Sequence, residues 1–258
     1  MSIDVVVVAY KTDKVLQRCV DSLLRDSQAG NIYIVDNSPG HPVGVSPSSR
    51  ISILEPGSNL GFGNGVNFAA KMMTTEYIAI VNPDLVFDRG VLGICSQYLD
   101  ENPGVALVSP RVFVDGRLYR TSERDASIFR YLSYPIGLGK WLGVERSLGA
   151  HSETHITDAV NGAFMVARRD ALDSVGWFDP EIFLFGEEVD LCRRLRSDGW
   201  NVAYLAEGHV DHLDGYSASK EPDAKIRSIR RNARVEQLRR ARGARQAALY
   251  SAFLRVKS

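Results

Sequence analysis

The feature that most constrains the fold is a run of apolar, mostly β-branched residues at positions 3–10. A strand with apolar side chains on both faces must be covered on both faces, so this run is typical of a buried strand in a parallel sheet. Behind Thr12, a suitable helix N-cap, apolar residues recur at helical spacing. They are Val15, Leu16, Cys19, Val20, Leu23 and Leu24. The chain therefore opens with a buried strand followed by an amphipathic helix.

The same alternation continues through the first half of the chain. Strands are predicted at 32–35, 51–54 and 77–81, and helices after a glycine-rich turn at 57–65 and over 91–99. Strands that alternate with helices predict an α/β fold with a mostly parallel central sheet and helices on both faces. Ligands bind such sheets at the carboxyl ends of the strands. Tyr10, Asp36 and Asp84 fall at predicted strand ends, so we expect them to meet in one crevice.

The second half is less regular. Strands are predicted at 104–114, 158–167 and 202–205, a helix at 187–197, a long loop at 120–151, and an arginine-rich helix at 225–248. We therefore expect one domain at 1–219, whose halves meet near residue 110, and a basic helical tail at 220–258.

Composition indicates a soluble globular protein in a reducing compartment. Apolar residues make up 45% of the 258 positions and charged residues 24%, both ordinary values. The three cysteines are scattered, which predicts neither a disulfide framework nor a metal site, and Cys19 and Cys192 are expected in the core. No signal peptide is predicted, and no stretch approaches the ~20 apolar residues of a membrane helix. We expect a cytoplasmic protein, in solution or peripheral on the inner face of the membrane.

Charge is balanced overall but divided unevenly. The tail at 220–258 carries twelve Lys or Arg against three Asp or Glu. Such a tail predicts an anionic partner, here an anionic membrane surface. The alternatives are a solvated helix or one that forms a homodimer. Nucleic acid is not an expected partner, because stacking aromatics are not interleaved with the arginines; only Tyr250 and Phe253 lie near the end.

Three segments of the first half combine polar residues with strand ends. Asp36 could accept hydrogen bonds from a nucleobase, or form a local Asx turn. The glycine-rich segment 59–67 permits close backbone approach to a ligand and opens a helix whose free N–H groups suit a diphosphate, or it is simply a flexible turn. Asp84, in Asn82-Pro83-Asp84, could bind a divalent cation beside a diphosphate, or belong to an ordinary turn.

Two segments of the second half carry further candidates. Glu187, Glu188 and Asp190 crowd the start of a helix that follows an aromatic run. Apolar neighbours would raise a carboxyl pKa toward the range of a general base, whereas the alternative is helix-dipole matching with an Asp190–Arg194 pair. His209 and His212 lie three residues apart among acids, which suits contact with a metal or phosphate as well as a structural role.

Taken in order, seven segments resemble the inverting nucleotide-sugar glycosyltransferases of family two, which have the GT-A fold. The likeness is greatest to bacterial rhamnosyltransferases that build cell-wall or O-antigen linkers, and it extends from residue 3 to residue 217. The segments are Val8-Ala9-Tyr10, Val35-Asp36-Asn37-Ser38, residues 59–67, Asn82-Pro83-Asp84, residues 161–165, residues 187–192 and His212-x-x-Gly215-x-Ser217.

The resemblance implies a role for each matching position. Those expected to hold the nucleotide and donor sugar are Ala9, Tyr10, Asp36, Asn59, Gly61, Phe62, Asn82, Asn161, Gly162 and Ala163. Asp84 is expected to bind Mg²⁺ or Mn²⁺, with His212 reaching the metal or diphosphate from the other side. Glu188 is expected to be the catalytic base, with Asp190 as its rival.

This sequence departs from the family pattern in two places. The metal motif is Asn82-Pro83-Asp84 rather than Asp-x-Asp, which leaves one carboxylate. The catalytic Glu-Asp pair is Glu187-Glu188, so the expected base is one methylene longer.

The resemblance implies inverting transfer from a nucleotide diphosphate sugar, first of all dTDP-L-rhamnose, to a hydroxyl of a polyprenyl-diphosphate-linked saccharide. A galactofuranosyl, mannosyl or glucosyl donor is an alternative, as is a protein that binds nucleotide sugars without turnover.

Overall fold

The computed structural model describes residues 2–119, 121–123, 151–213 and 224–256. Its helices are α1 (Asp13–Leu24), α2 (Phe62–Ala70), α3 (Val91–Glu101), α4 (Arg169–Val175), α5 (Glu187–Ser197), α6 (Ala224–Arg242) and α7 (Ala244–Val256). Its strands are β1 (Ile3–Ala9), β2 (Ala29–Asp36), β3 (Ile51–Leu54), β4 (Tyr77–Val81), β5 (Leu85–Phe87), β6 (Val105–Val114), β7 (Arg117–Tyr119), β8 (Ser122–Glu123), β9 (His155–Thr157), β10 (Ala159–Val160), β11 (Phe164–Arg168) and β12 (Asn201–His212).

The central sheet runs in the order β3-β2-β1-β4-β11-β6-β12-β5. The first four strands are parallel neighbours. β11 is antiparallel to both β4 and β6, β12 is parallel to β6, and β5 is antiparallel to β12. The predicted α/β sheet is therefore present, and each of these antiparallel pairs includes a strand from the second half of the chain.

β1 is apolar on both faces because the sheet has a core on each side. Val5 and Val7 pack in the cluster that contains α1 and α3. Val6 and Val8 point to the opposite cluster, which contains α2, α4 and α5. Successive side chains of a strand alternate between faces, so burial on both sides requires an apolar residue at nearly every position.

The three cysteines, all within the described residues, are fully buried, as predicted for Cys19 and Cys192, and none of them forms a disulfide bond. Burial raises the pKa of the Cys19 and Cys95 thiols well above the usual range. These cysteines therefore act as small apolar core residues.

Several predicted elements differ from the structure. The strand expected at 158–167 is two strands, because β10 pairs with β8 in a separate two-stranded sheet and residues 161–163 connect it to β11 in the central sheet. The strand expected at 202–205 extends to His212. Thr12 does occupy the N-cap of α1, but its hydroxyl makes no capping hydrogen bond. The loop expected at 120–151 lies mostly outside the described residues.

The basic tail forms two helices rather than one. α6 ends before Gly243, whose φ of +85° is in the left-handed region that favours glycine, and α7 begins at the next residue. Leu238 of α6 packs with Ala247 and Tyr250 of α7 in a small core of their own. Within the described ranges, no helix combines the length and apolarity that crossing a membrane requires.

Candidate active site

The carboxyl ends of β1, β2 and β4 lie side by side, and hydrogen bonds connect the segments that follow them. Asn37 N–H, just past β2, donates to Ala9 C=O at the end of β1 (2.8 Å). Asn82 N–H, just past β4, donates to Ala163 C=O (2.9 Å). Ala9 is fully buried, whereas the neighbouring Tyr10 is 48% exposed. Segments predicted to hold a nucleotide from two parts of the chain are therefore adjacent.

Asp84 and His212, both predicted as metal ligands, are in direct contact. His212 is the last residue of β12 and pairs with Leu85, the residue after Asp84. Leu213 N–H donates to Asp84 C=O (2.8 Å). His212 Nε2 lies 2.9 Å from Asp84 Oδ2. The antiparallel β5–β12 pairing thus brings together two side chains that are 128 positions apart.

Two polar atoms of this pair lack a hydrogen-bond partner among the described residues. They are Asp84 Oδ1 and His212 Nε2, both buried, although Nε2 lies 2.9 Å from Asp84 Oδ2. Buried polar atoms are rarely left so. The described residues contain no group of three or more His, Cys, Asp or Glu side chains that could hold a metal ion. One carboxylate and one imidazole fit a divalent ion that completes its shell with substrate phosphates and water.

Asp36, predicted to contact a nucleobase, uses both carboxylate oxygens within the protein. Ser38 N–H donates to Oδ1 (2.9 Å) and Val43 N–H to Oδ2 (3.0 Å). The side chain is buried at the end of β2. These hydrogen bonds match the Asx turn that the sequence offered as the alternative. Contact of Asp36 with a nucleobase stays a prediction.

The glycines of segment 59–67 allow close approach by the protein itself. A Cβ on Gly61 would lie 2.0 Å from the Phe183 carbonyl oxygen, and one on Gly65 would lie 2.8 Å from a Val8 methyl. Gly61 also has a φ of +82°. Asn59, Gly61 and Phe62 remain predicted ligand contacts, but packing already accounts for all three glycines of this segment, because a Cβ on Gly63 would lie 2.9 Å from Phe178 Cβ.

Asparagine side chains hold this segment in place. Asn59 Oδ1 accepts from Gly61 N–H (2.9 Å), and Asn37 Nδ2 donates to Gly61 C=O (2.9 Å). Asn37 was not among the predicted site residues. Its position in Val35-Asp36-Asn37-Ser38 was the available signal. The Asn37 side chain joins the end of β2 to the start of α2.

Asp190, the rival base, is engaged by two arginines. Its Oδ1 accepts from Arg193 and its Oδ2 from Arg194, each at 2.7 Å. Arg194 also donates to the carbonyls of Val175 and Trp177 (2.6 Å each). The predicted Asp190–Arg194 pair is present, and it favours a structural role for Asp190, because a base must have a free oxygen for the proton.

Glu188, the expected base, lies against segment 161–163. A Cβ on Gly162 would be 3.3 Å from Glu188 Cβ. Glu188 Oε2 accepts from Gly186 N–H (3.2 Å). Asn161 Oδ1 accepts from Ala163 N–H (2.9 Å), which holds this segment in a turn. The Ala163 C=O also accepts the Asn82 N–H. Residues 161–163 therefore link Glu188 to the region of Asp84.

Glu187 is the titratable group that the sequence prediction left out of the site. It is 6% exposed and its Oε2 has no hydrogen-bond partner among the described residues. Burial raises its pKa to about 7. The sequence signal was the aromatic run before it, which predicted a raised carboxyl pKa at this helix start without indicating which carboxyl.

We expect Glu187→Gln to stabilise the protein more at about pH 8 than at about pH 5. A carboxyl group that binds its proton more tightly when folded loses stability as pH rises from the ordinary Glu pKa of about 4.3 to the folded value. The folded value is about 7. At about 1.4 kcal/mol per pKa unit, the loss is on the order of 3 kcal/mol, and Gln avoids it.

Thermal melts of both proteins across this pH range check the Glu187 prediction. The exposed Glu207→Gln serves as a control whose difference from the parent stays flat. A Glu187→Gln difference that is constant with pH would contradict the prediction.

A family model described as glycosyltransferase like family 2 matches residues 2–235. The chain belongs to this family. It is a glycosyltransferase, as the seven sequence segments predicted. The match ends inside α6, so it includes the first part of the basic tail.

Two curated relatives of the chain are rhamnosyltransferases. The N-acetylglucosaminyl-diphospho-decaprenol L-rhamnosyltransferase of Mycobacterium tuberculosis is 25% identical over 240 residues, which cover 84% of this chain and 78% of the relative. The rhamnosyltransferase WbbL of Escherichia coli is 24% identical over 230 residues, which cover 81% and 82%.

A solved structure confirms the fold. The mannosyltransferase PcManGT of Pyrobaculum calidifontis, in complex with GDP-Man and Mn²⁺, matches with a TM-score of 0.64 at 14% identity. The match covers 93% of this chain and 63% of that one. The GT-A fold predicted for this family-2 glycosyltransferase is therefore confirmed.

Proposed function

We propose that this glycosyltransferase moves L-rhamnose from dTDP-L-rhamnose to a hydroxyl of a polyprenyl-diphosphate-linked saccharide, with inversion at the anomeric carbon. The observation that carries the reaction type is the linkage of Glu188, through residues 161–163, to the Asp84–His212 pair. The donor and acceptor are supported by the names of the two relatives, one of which acts on a diphospho-decaprenol-linked sugar.

In this mechanism Glu188 accepts the proton of the acceptor hydroxyl. The hydroxyl oxygen bonds to the anomeric carbon from the face opposite the nucleotide, and the bond from that carbon to the diphosphate oxygen breaks. Asp84 and His212 would hold Mg²⁺ or Mn²⁺, which supplies positive charge to the departing diphosphate. Residues 161–163 lie against Glu188, where they would orient the acceptor and exclude water.

A transfer assay tests the donor and acceptor together. The protein is incubated with Mn²⁺, a panel of nucleotide sugars and a bacterial lipid extract, and sugar entering the lipid fraction is followed. We expect transfer from dTDP-rhamnose alone. Transfer only from UDP-galactofuranose, GDP-mannose or UDP-glucose would reject the donor. Metal-dependent nucleotide binding without transfer from any donor would favour a binding protein without turnover.

We also propose that α7 contacts an anionic membrane surface. Arg245 is exposed and Leu249 is 64% exposed, and positions four apart share one face of a helix. A cationic and an apolar side chain on one face suit the headgroup region of a bilayer. This face would bring the protein to a lipid-linked acceptor.

We expect Arg245→Glu to weaken binding to phosphatidylglycerol liposomes by about tenfold or more, because each basic residue at such a surface contributes about 1 kcal/mol. Arg89→Glu, an exposed arginine outside the tail, is the control. Cosedimentation measures both. Unchanged liposome binding would reject the membrane proposal, and dissociation of a dimer in sedimentation equilibrium would support the homodimer alternative instead.

A further inference from the structure

We propose that Arg240 of α6 is a positioning residue for sugar transfer. It clamps the loop at 179–186, and this loop leads directly into Glu188. The proposal rests on the proposed role of Glu188 as the base. It assigns to part of the basic tail a task within the active site.

Arg240 joins the tail to the loop by ion pairs. Its side chain is only 16% exposed and forms ion pairs with Asp179, with Glu181 (3.0 Å) and with Glu236 of its own helix (2.8 Å). Asp179 Oδ1 accepts from Glu181 N–H (2.8 Å), so the two acids are already arranged for one guanidinium. Although burial opposes it, the Glu181 N–H and Arg240 lower the pKa of Asp179.

Two further contacts join α6 to the end of the loop, where α5 starts. The Arg230 guanidinium lies 4.8 Å from the centre of the Phe185 ring. A Cβ on Gly186 would lie 2.0 Å from Gln237 Nε2, so α6 packs directly on this glycine. Gly186 N–H in turn donates to Glu188 Oε2 (3.2 Å). The loop that α6 holds therefore ends at Gly186, whose N–H contacts the carboxylate of Glu188.

The loop has a backbone conformation that needs support. Phe185 has a φ of +68° and Gly186 a φ of +95°. A non-glycine residue in the left-handed region is strained, and it persists where surrounding contacts hold it. Without α6, this turn would have fewer contacts to keep it.

Among the described residues, apolar packing does not fill the interface between the loop and α6, and Arg240 and Arg230 connect its two sides. A cavity of about 420 Å³ lies between the loop and α6, with Leu184 and Val189 on one side and Ile229 and Ala233 on the other. Arg240 joins the two sides of the interface by its contact with Asp179, and Arg230 joins them by its contact with Phe185. On its other side, the loop packs on Gly61 through the Phe183 carbonyl.

Kinetics of five variants test the clamp. We expect Arg240→Ala to lower kcat about 10-fold to 100-fold while the KM for the donor stays within about twofold, because small misplacement of a base is costly. Arg240→Lys should recover part of the loss. Asp179→Asn, which keeps the acceptor for Glu181 N–H, should resemble Arg240→Ala, and the double variant should be no worse. Arg239→Ala, which removes an exposed neighbour that forms an ion pair with Glu236 of the same helix, should resemble the parent.

Hydrogen exchange provides a readout that does not depend on turnover. Arg240→Ala should speed amide exchange at 182–188 and Arg239→Ala should not. A kcat for Arg240→Ala equal to that of Arg239→Ala would overturn the proposal, as would unchanged exchange at 182–188. If the parent transfers no sugar from any donor, the proposed function fails, and the exchange comparison still decides whether Arg240 clamps the loop.

Discussion

Glu188→Gln is expected to lower kcat by about 10²-fold to 10⁴-fold, which is the usual contribution of a general base. The amide keeps the size of the side chain and its contact with Gly162, but it cannot accept the proton of the acceptor hydroxyl. Donor binding should stay within about twofold, because proton transfer occurs only in the chemical step. Single-turnover transfer measures the first effect, and titration with the nucleotide diphosphate measures the second.

Glu187→Gln is the matched control for this experiment. It changes the adjacent residue in the same way, and Glu187 is buried rather than set against residues 161–163. We expect it to retain most of the parent's kcat at neutral pH. The reverse result, an active Glu188→Gln and an inactive Glu187→Gln, would assign the base to Glu187, whose pKa of about 7 suits that task.

Asp84→Asn is expected to lower kcat/KM by about 10²-fold to 10³-fold, because charge stabilisation of a leaving group by a metal is worth several kcal/mol. The change removes the single carboxylate of the predicted metal motif but keeps its shape. Chelation of divalent ions should abolish transfer by the parent. The Mn²⁺ concentration that restores half of the activity should rise in the variant.

A second Asp–His pair between the same parts of the chain offers a control. His209 Nδ1 lies 3.6 Å from Asp88 Oδ2, and both side chains are more than one-third exposed. Because these groups are already hydrated, Asp88→Asn should leave the Mn²⁺ dependence unchanged. Equal effects of Asp84→Asn and Asp88→Asn would contradict the assignment of Asp84 as a metal ligand.

The pairing of Asp84 with His212 shows what resemblance and structure each contribute. Both residues were predicted from motifs, yet nothing in the local sequence requires that they touch. Their contact depends on β5 lying antiparallel to β12, a pairing of segments far apart in the chain. Strands were predicted in the second half, but their antiparallel pairings were not, because periodicity indicates that a strand exists and not which neighbour it pairs with.

The carboxylates of α5 illustrate the same division. Sequence placed Glu187, Glu188 and Asp190 at one helix start, and the predicted pair of Asp190 with Arg194 follows from helical spacing alone. That Glu187 is buried, with one carboxylate oxygen lacking a partner among the described residues, whereas Glu188 lies against Gly162, depends on which face of α5 packs on the sheet. The pKa of Glu187 is therefore a tertiary property.

What the sequence determined by itself was local or carried by motifs: the buried strand β1, the amphipathic helices, the turns after the strands, and the family to which the chain belongs. Strand and helix periodicities report the environment of each residue along the chain, so these features needed no knowledge of distant contacts. Tertiary structure alone decided that α6 packs on the loop before Glu188 and that Arg240 meets Asp179. The arginines of the tail look alike in sequence, and only the fold separates those that face the active-site loop from those that face solvent, because burial and ion pairing depend on positions distant in the chain.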